Sequence, residues 1–106
     1  MQYPVELTQI SAEKAIYVPA YDAVKAIYTD LLAVDPVTPF PYWAKVWPSA
    51  IALHNVLQKH PSLIRDKTVL ELGAGIGLPS LMMAGITNSI QISDYNLDAV
   101  ELLRKN

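Results

Sequence analysis

Three glycines, Gly73, Gly75 and Gly77, alternate with other residues in "TVLELGAGIGLPSL" (residues 68–81), where one apolar stretch leads into another. Glycine is the residue of choice where φ must be positive or where a backbone must approach a ligand closely. At the carboxyl end of a parallel strand, ahead of a helix, such a turn forms a crevice for a nucleotide-like ligand. The stretch therefore predicts a binding loop.

The residues around the glycines distinguish three kinds of site. A phosphate-binding P-loop requires a lysine after its last glycine, and Leu78 follows Gly77, which excludes it. A dinucleotide site of the type G-x-G-x-x-G, counted from Gly73, needs a glycine where Leu78 stands. This mismatch weakens a nicotinamide or flavin site and leaves it open as an alternative. The third pattern, acidic-x-Gly-x-Gly-x-Gly, is filled at every fixed position by "ELGAGIG", which begins at Glu71.

A second carboxylate, Asp94, ends the next apolar stretch, "IQISD". A carboxylate at the end of a strand can accept hydrogen bonds from both ribose hydroxyls of an adenosine. Such acids also occur in NAD sites, so Asp94 by itself does not discriminate. Its combination with Glu71 and the three glycines favours an adenosine ligand that has no phosphate.

Together these stretches resemble the class I, seven-β-strand S-adenosylmethionine-dependent methyltransferases, with "VLELGAGIG" as the first motif and "ISDYN" as the following acidic motif. The upstream stretch "PYWAKVWPSAIAL" is similar to the branch of nicotinamide N-methyltransferase-like proteins and of protein-lysine methyltransferases related to the one that modifies electron-transfer flavoprotein beta. The resemblance covers about residues 41–106. It implies transfer of a methyl group from S-adenosylmethionine to a nitrogen of a protein lysine or of a small molecule.

The resemblance also implies roles for the loop residues. Gly73, Ala74, Gly75 and Gly77 would line the methionine part and the ribose of the donor. Glu71 would reach the α-amino group of the donor, directly or through water, because a carboxylate suits an ammonium.

Four further residues complete the implied donor site. Asp94 would bind the ribose hydroxyls and Tyr95 would lie along the adenine. Trp43 and Trp47 would wall the site, Trp47 above all, because a sulfonium beside an aromatic face gains a cation–π contact. Packing alone also explains both tryptophans, as core anchors under a proline-rich loop, and Tyr95, as a simple packing residue. Lys45, between the tryptophans, is interpreted as a solvated charge.

Hydrophobic periodicity predicts an α/β fold. We expect a Rossmann-like parallel sheet with helices on both faces, represented by the front part of the domain (residues 41–106) and preceded by a small α+β segment (residues 1–40). Asn96 or Asp98 is expected to cap the last helix. The predicted strands cover residues 5–10, 15–18, 68–72 and 89–94, and the predicted helices cover residues 20–34, 48–60, 77–85 and 96–106.

Two parallel strands and their helices cannot cover both faces of a sheet, so the chain is expected to be the front of a longer domain. In the resembled family the acceptor site lies largely after the fourth strand, so no catalytic residue is assigned. The chain by itself is expected to bind the donor poorly and to be inactive. A non-catalytic Rossmann-like binding module stays open as an alternative.

Composition narrows the functional classes further. The 106 residues are 52% hydrophobic and 17% charged, with a formal net charge of −2. These values fit one globular domain and give no general attraction to nucleic acid or to an anionic membrane. The absence of cysteine excludes thiolate catalysis and is compatible with the cytoplasm. His54 and His60 are too few for a metal site and are interpreted as lying on a helix surface.

Overall fold

The computed structural model describes residues 3–106, which form an α/β fold with two small sheets. The elements in chain order are β1 (Val5–Gln9), β2 (Ala15–Pro19), α1 (Tyr21–Val34), α2 (Pro48–Lys59), β3 (Thr68–Glu71), α3 (Leu78–Met83), β4 (Ser89–Ile92) and α4 (Leu97–Lys105). Two short 3₁₀ helices that the sequence did not predict, Tyr42–Ala44 and Pro61–Leu63, precede α2 and β3.

Strands β3 and β4 form the parallel pair that the sequence predicts, in a register from Thr68 opposite Ser89 to Glu71 opposite Ile92. The glycine loop and α3 connect them, so the carboxyl ends of both strands meet at one edge of the sheet. The prediction of an α/β fold with a parallel sheet is therefore confirmed.

The apolar stretch at residues 68–72 predicts a buried parallel strand, and this prediction is wrong: no residue of β3 is fully buried, and the face that carries Leu70 is exposed. Leu70 is 57% exposed, and Leu72 just after the strand is 75% exposed. Within residues 3–106 the sheet has two strands, so β3 has one neighbour and little covers the face that carries Leu70.

The predicted helix ends are confirmed where local chemistry dictates them. Helix α1 ends at Val34, and Asp35 is extended, because a residue before proline is pushed out of helical space. Pro48 occupies the first turn of α2, where its missing N–H would be unpaired anyway. Of the two predicted caps of α4, the structure uses Asn96, whose side chain accepts hydrogen bonds from two backbone N–H groups of the first turn.

The buried stripe of α2 agrees with the predicted one in part. The sequence predicts an apolar face of Ala50, Leu53, Val56 and Leu57; the structure confirms Ala50 and Leu57, whereas Leu53 and Val56 are about half exposed. Helix α2 packs on α3, and its less exposed positions are Ala50, His54 and Leu57, which recur with helical spacing. The helix-surface interpretation is therefore wrong for His54, which is 8% exposed.

The N-terminal hairpin packs on the helices that follow the parallel strands. Strands β1 and β2 are antiparallel, and the turn between them carries Lys14, whose Nζ donates a hydrogen bond to the carbonyl oxygen of Leu81 in α3 at 2.6 Å. Tyr17 in β2 exchanges two hydrogen bonds with the side chain of Asn106, which follows α4.

One hydrophobic core joins residues from both predicted segments of the chain. Its buried members come from the N-terminal segment, the loop before α2, the glycine loop, α3 and α4: Tyr3, Ile16, Val24, Trp43, Ala44, Ile76, Leu78, Leu81, Ala99 and Leu102. The division between residues 40 and 41 stays a prediction. Among residues 3–106 no helix is long and apolar enough to cross a membrane.

Candidate functional site

The three glycines of the loop all adopt left-handed backbone conformations, with φ of +60° at Gly73, +57° at Gly75 and +75° at Gly77. A residue with a Cβ pays about 1–2 kcal/mol in this region, so the predicted use of glycine for positive φ is confirmed. The loop closes through a hydrogen bond from the N–H of Gly77 to the carbonyl of Ala74 at 2.9 Å. The N–H of Ala74 in turn donates to the carbonyl of Ser93, after β4, at 2.9 Å.

Each glycine also meets a different neighbourhood. A Cβ on Gly75 would lie 3.2 Å from the carbonyl oxygen of Trp43, and a Cβ on Gly77 would collide with the side chain of Leu103 in α4. A Cβ on Gly73 would meet nothing within 4 Å. Two of the glycines therefore permit close packing, and the third leaves space open.

Asp94 joins this loop to the end of β4. Its Oδ2 accepts a hydrogen bond from the N–H of Gly75 at 2.8 Å, and its Oδ1 accepts one from the N–H of Asn96 at 2.9 Å. An ionised carboxylate has about four acceptor positions, so each oxygen keeps capacity for a further donor such as a hydroxyl group.

The loop borders a cavity of about 560 Å³, within the range of small-molecule sites. The cavity brings together eight of the nine predicted donor-site residues, namely Trp43, Trp47, Gly73, Ala74, Gly75, Gly77, Asp94 and Tyr95. We call the loop of residues 73–77 the glycine wall. We call the group of Phe40, Tyr42, Trp43 and Trp47, which also lines the cavity, the aromatic wall.

Glu71 is the ninth predicted residue, and it does not line the cavity. Its carboxylate accepts a hydrogen bond from the hydroxyl of Ser80, which is fully buried in α3. In this structure Glu71 therefore connects the end of β3 to α3. Its contact with the amino group of a donor stays a prediction.

The aromatic wall differs in burial along its length. Trp43 is a core residue whose ring lies 5.8 Å from that of Tyr3, so the packing interpretation holds for it, although it also lines the cavity. Trp47 is 37% exposed, and its Nε1 donates to the carbonyl of Tyr42 at 2.7 Å. Tyr95 is 93% exposed, which leaves its ring free to stack on a ligand.

Sequence analysis missed the cavity residues of the first forty positions. Tyr3, Leu31, Thr38 and Phe40 all line the cavity, although this segment carries no part of the motifs. The aromatic Phe40 directly before "PYW" was the one available signal. The others are brought in by the packing of the hairpin and α1, which no local pattern encodes.

Comparison with known proteins extends these observations. A sequence model of the lysine methyltransferase family matches residues 42–106, which include the aromatic wall from Tyr42 on, the glycine wall and Asp94. The chain belongs to the lysine methyltransferase family. The resemblance to protein-lysine methyltransferases that the motifs indicated is thereby confirmed.

Individual relatives of this chain differ in the acceptors that their names give. It is 54% identical over 43 residues to the protein N-terminal and lysine N-methyltransferase efm7 of Schizosaccharomyces pombe (40% of this chain and 17% of the relative). It is 44% identical over 60 residues to the electron transfer flavoprotein beta subunit lysine methyltransferase of Homo sapiens (57% and 22%). It is 40% identical over 53 residues to the histone-arginine methyltransferase METTL23 of Xenopus laevis (50% and 23%). The chain thus spans about a fifth of the length of these relatives.

The residues of the cavity fit the methyl donor of such enzymes. The space at Gly73 accommodates a ligand close to the backbone, Asp94 has acceptor capacity for hydroxyl groups, and the aromatic wall offers faces for a cation. No cluster of three or more metal-ligating side chains occurs within the described part of the chain.

Proposed function

We propose that this chain carries the donor-binding half of an S-adenosylmethionine-dependent methyltransferase that methylates a nitrogen, with a protein lysine as the acceptor. The observation that carries the proposal is the meeting of three left-handed glycines with Asp94 at one cavity, where β3 and β4 end. This is the place where parallel α/β sheets bind nucleotide-like ligands.

The proposed roles follow the position of each residue on the cavity. Gly73, Ala74, Gly75 and Gly77 border the methionine part and the ribose, and Asp94 accepts the ribose hydroxyls. Two observations support these roles. The space at Gly73 is open, and each carboxylate oxygen of Asp94 accepts one hydrogen bond and can accept another.

The remaining proposed contacts belong to the ends of the donor. Tyr95 lies along the adenine, Glu71 binds the α-amino group, and Trp43 and Trp47 wall the site. The hydroxyl of Ser80 donates to Oε1 of Glu71. Glu71 would therefore bind the α-amino group through its other carboxylate oxygen, while Oε1 keeps the hydrogen bond to Ser80.

The bound donor supplies a methyl group on a sulfonium, which is already a good leaving group. The task left to the protein is to hold the acceptor nitrogen on one line with that methyl group and to exclude water from the cavity. A lysine is proposed as the acceptor because the family and the flavoprotein-modifying relative are named for lysine. A small-molecule amine stays the alternative acceptor. We also propose that the protein is located in the cytoplasm, which cell fractionation would check.

The test is a calorimetric titration of S-adenosylhomocysteine, the donor product, into the chain and into Asp94→Ala. We expect saturable binding that Asp94→Ala weakens about tenfold or more, because hydrogen bonds to a charged acceptor are lost and the Gly75 N–H loses its partner. Asp98→Ala is the matched control, since Asp98 is an acid on the same cavity that holds no part of the glycine wall. Its affinity should stay within about twofold of the parent chain.

Three results would contradict the proposal. Equal affinities of the parent chain and Asp94→Ala for S-adenosylhomocysteine would show that Asp94 does not bind the ligand. Displacement of the ligand by NADH at similar concentration would favour an oxidoreductase. No saturable binding, either to the parent chain or to a longer chain that completes the domain, would leave a Rossmann-like interaction module as the better description.

A further inference from the structure

Lys45 projects into the cavity and lies on the aromatic wall. Its Nζ is 4.8 Å from the centroid of the Trp47 ring and 5.3 Å from that of Tyr21. Both distances are within the roughly 6 Å at which a cation is attracted by a ring face. The interpretation of Lys45 as a solvated charge is therefore wrong: its side chain is half-buried and its charge rests on two rings.

The ring that carries this ammonium group is held in place. The Nε1 of Trp47 donates to the carbonyl oxygen of Tyr42, and the two rings lie 6.0 Å apart at 34°. Tyr42 in turn contacts Phe40, and Phe40 contacts Tyr28 of α1 edge to face. The Trp47 ring thus keeps a fixed orientation although more than a third of its surface is exposed.

Other lysines in the chain are held in different ways. Lys25 pairs with the carboxylate of Asp22 at 3.1 Å, and Lys14 donates to a backbone carbonyl. Lys105 lies over the ring of Tyr17 at 4.4 Å, far from the cavity lining. Of the lysines in residues 3–106, Lys45 alone lines the cavity, and no carboxylate in this range forms an ion pair with it.

We propose that the face of Trp47 beneath Lys45 is an alkylammonium subsite, and that the Lys45 side chain is an internal occupant which the methyl acceptor displaces. The inference rests on the proposed function, since it assigns this subsite to the acceptor. The exchange is like for like, because a protein lysine presents the same ammonium group on the same four-carbon chain. The subsite binds this protonated form, and the ammonium must release a proton to water before its nitrogen has the lone pair that attacks the methyl group. The assignment concerns the one face of the Trp47 ring that Lys45 covers, so the contact with the donor proposed for Trp47 is left to the other face.

The chemistry of the subsite matches the products as well as the substrate. Each added methyl group enlarges the ammonium and weakens its hydration while its charge remains, and aromatic faces bind quaternary ammonium groups well. A subsite of this kind retains a partly methylated lysine. The proposed ligand of the subsite is therefore a lysine side chain of a protein, in any methylation state.

The experiment needs no donor. Nα-acetyl-trimethyllysine N-methylamide is titrated into the chain while the indole N–H signal of Trp47 is followed by NMR, with the backbone N–H of Gly85, which does not line the cavity, as internal reference. The parallel probe is the neutral analogue in which a tert-butyl group replaces the trimethylammonium group, so that shape is kept and charge is removed.

Lys45→Ala vacates the subsite and should bind the ammonium probe about threefold or more tightly than the parent chain, with no such gain for the neutral probe. Lys45→Arg keeps a cation on the ring and should match the parent chain. Lys105→Ala removes the same kind of contact from Tyr17 and should also match it. Trp47→Leu should abolish the response of the ammonium probe.

Two results would overturn the inference: equal affinity of the parent chain and Lys45→Ala for the ammonium probe, or equal affinity of the two probes for Lys45→Ala. S-adenosylhomocysteine titrated into the same samples separates the two proposals. Donor-product binding without an ammonium response overturns the subsite alone. An ammonium response without donor-product binding supports the subsite as an ammonium site and counts against the proposed function.

Discussion

The two walls of the cavity are built on opposite plans. The glycine wall has glycine, which carries no side chain, at alternate positions, and the backbone conformation of five consecutive residues determines its shape. The aromatic wall consists of large side chains whose rings contact one another and, through Phe40 and Trp43, contact Tyr28 and Tyr3. A wall made of backbone is specified locally, whereas a wall made of rings depends on residues far away in the chain.

The strongest test of this contrast is Gly77→Ala. The new Cβ would collide with Leu103 and would force alanine into a left-handed conformation. We expect the free energy of unfolding to fall by roughly 2–4 kcal/mol, measured by urea denaturation. In a Leu103→Ala background the same change should cost less, because the collision is removed and the backbone strain remains. An equal cost in both backgrounds would exclude Leu103 as the cause.

Gly73→Ala should separate binding from stability on the same wall. The strain of positive φ should lower the free energy of unfolding by about 1–2 kcal/mol. The methyl group enters open space. We expect affinity for S-adenosylhomocysteine to fall by about tenfold or more, because the proposed site places the ligand in that space.

Gly85→Ala is the matched control for this substitution. A Cβ there also meets nothing within 4 Å, but Gly85 is not among the glycines with positive φ. It should leave affinity unchanged and leave stability unchanged or slightly higher. If Gly73→Ala binds as well as Gly85→Ala, the space at Gly73 is not part of the site.

The smallest expected effect is that of Trp47→Phe on the aromatic wall. It removes the hydrogen bond from Nε1 to the carbonyl of Tyr42. That carbonyl lies beside exposed residues and can bind water, so the free energy of unfolding should fall by less than about 1 kcal/mol. The ring loses its fixed orientation, and ammonium binding in a Lys45→Ala background should weaken by about twofold to threefold. A large loss of stability with unchanged ammonium binding would contradict this prediction, because it would mean that Trp47 stabilises the fold and does not bind the ammonium group.

Sequence analysis was most successful where local chemistry decides the structure. The glycine motif, Pro48 at the start of α2 and Asn96 as the cap of α4 each act within a few residues, and the structure confirms all three. The parallel pairing of β3 and β4 also followed, because the stretch between them is too long for a hairpin and has helical spacing.

The remaining features depend on contacts that no local pattern contains. The burial of His54 follows from the packing of α2 on α3, and periodicity alone favoured the neighbouring Leu53. The place of Lys45 depends on Trp47 and on Tyr21, more than twenty residues before it. The bond between Glu71 and Ser80 likewise required the packing of α3 on the end of β3.

The side chain of Asn106 has a consequence for how this chain behaves among its copies. Its Oδ1 accepts a hydrogen bond from the N–H of Tyr17 at 2.6 Å, and its Nδ2 donates one to the carbonyl of Tyr17 at 2.9 Å. This side-chain amide therefore makes the two hydrogen bonds that a neighbouring strand would make with Tyr17. Tyr17 is the middle residue of β2, and Pro19 at the end of the strand has no N–H to offer. An open strand edge is a template for aggregation, and this edge is closed at its centre by the molecule itself.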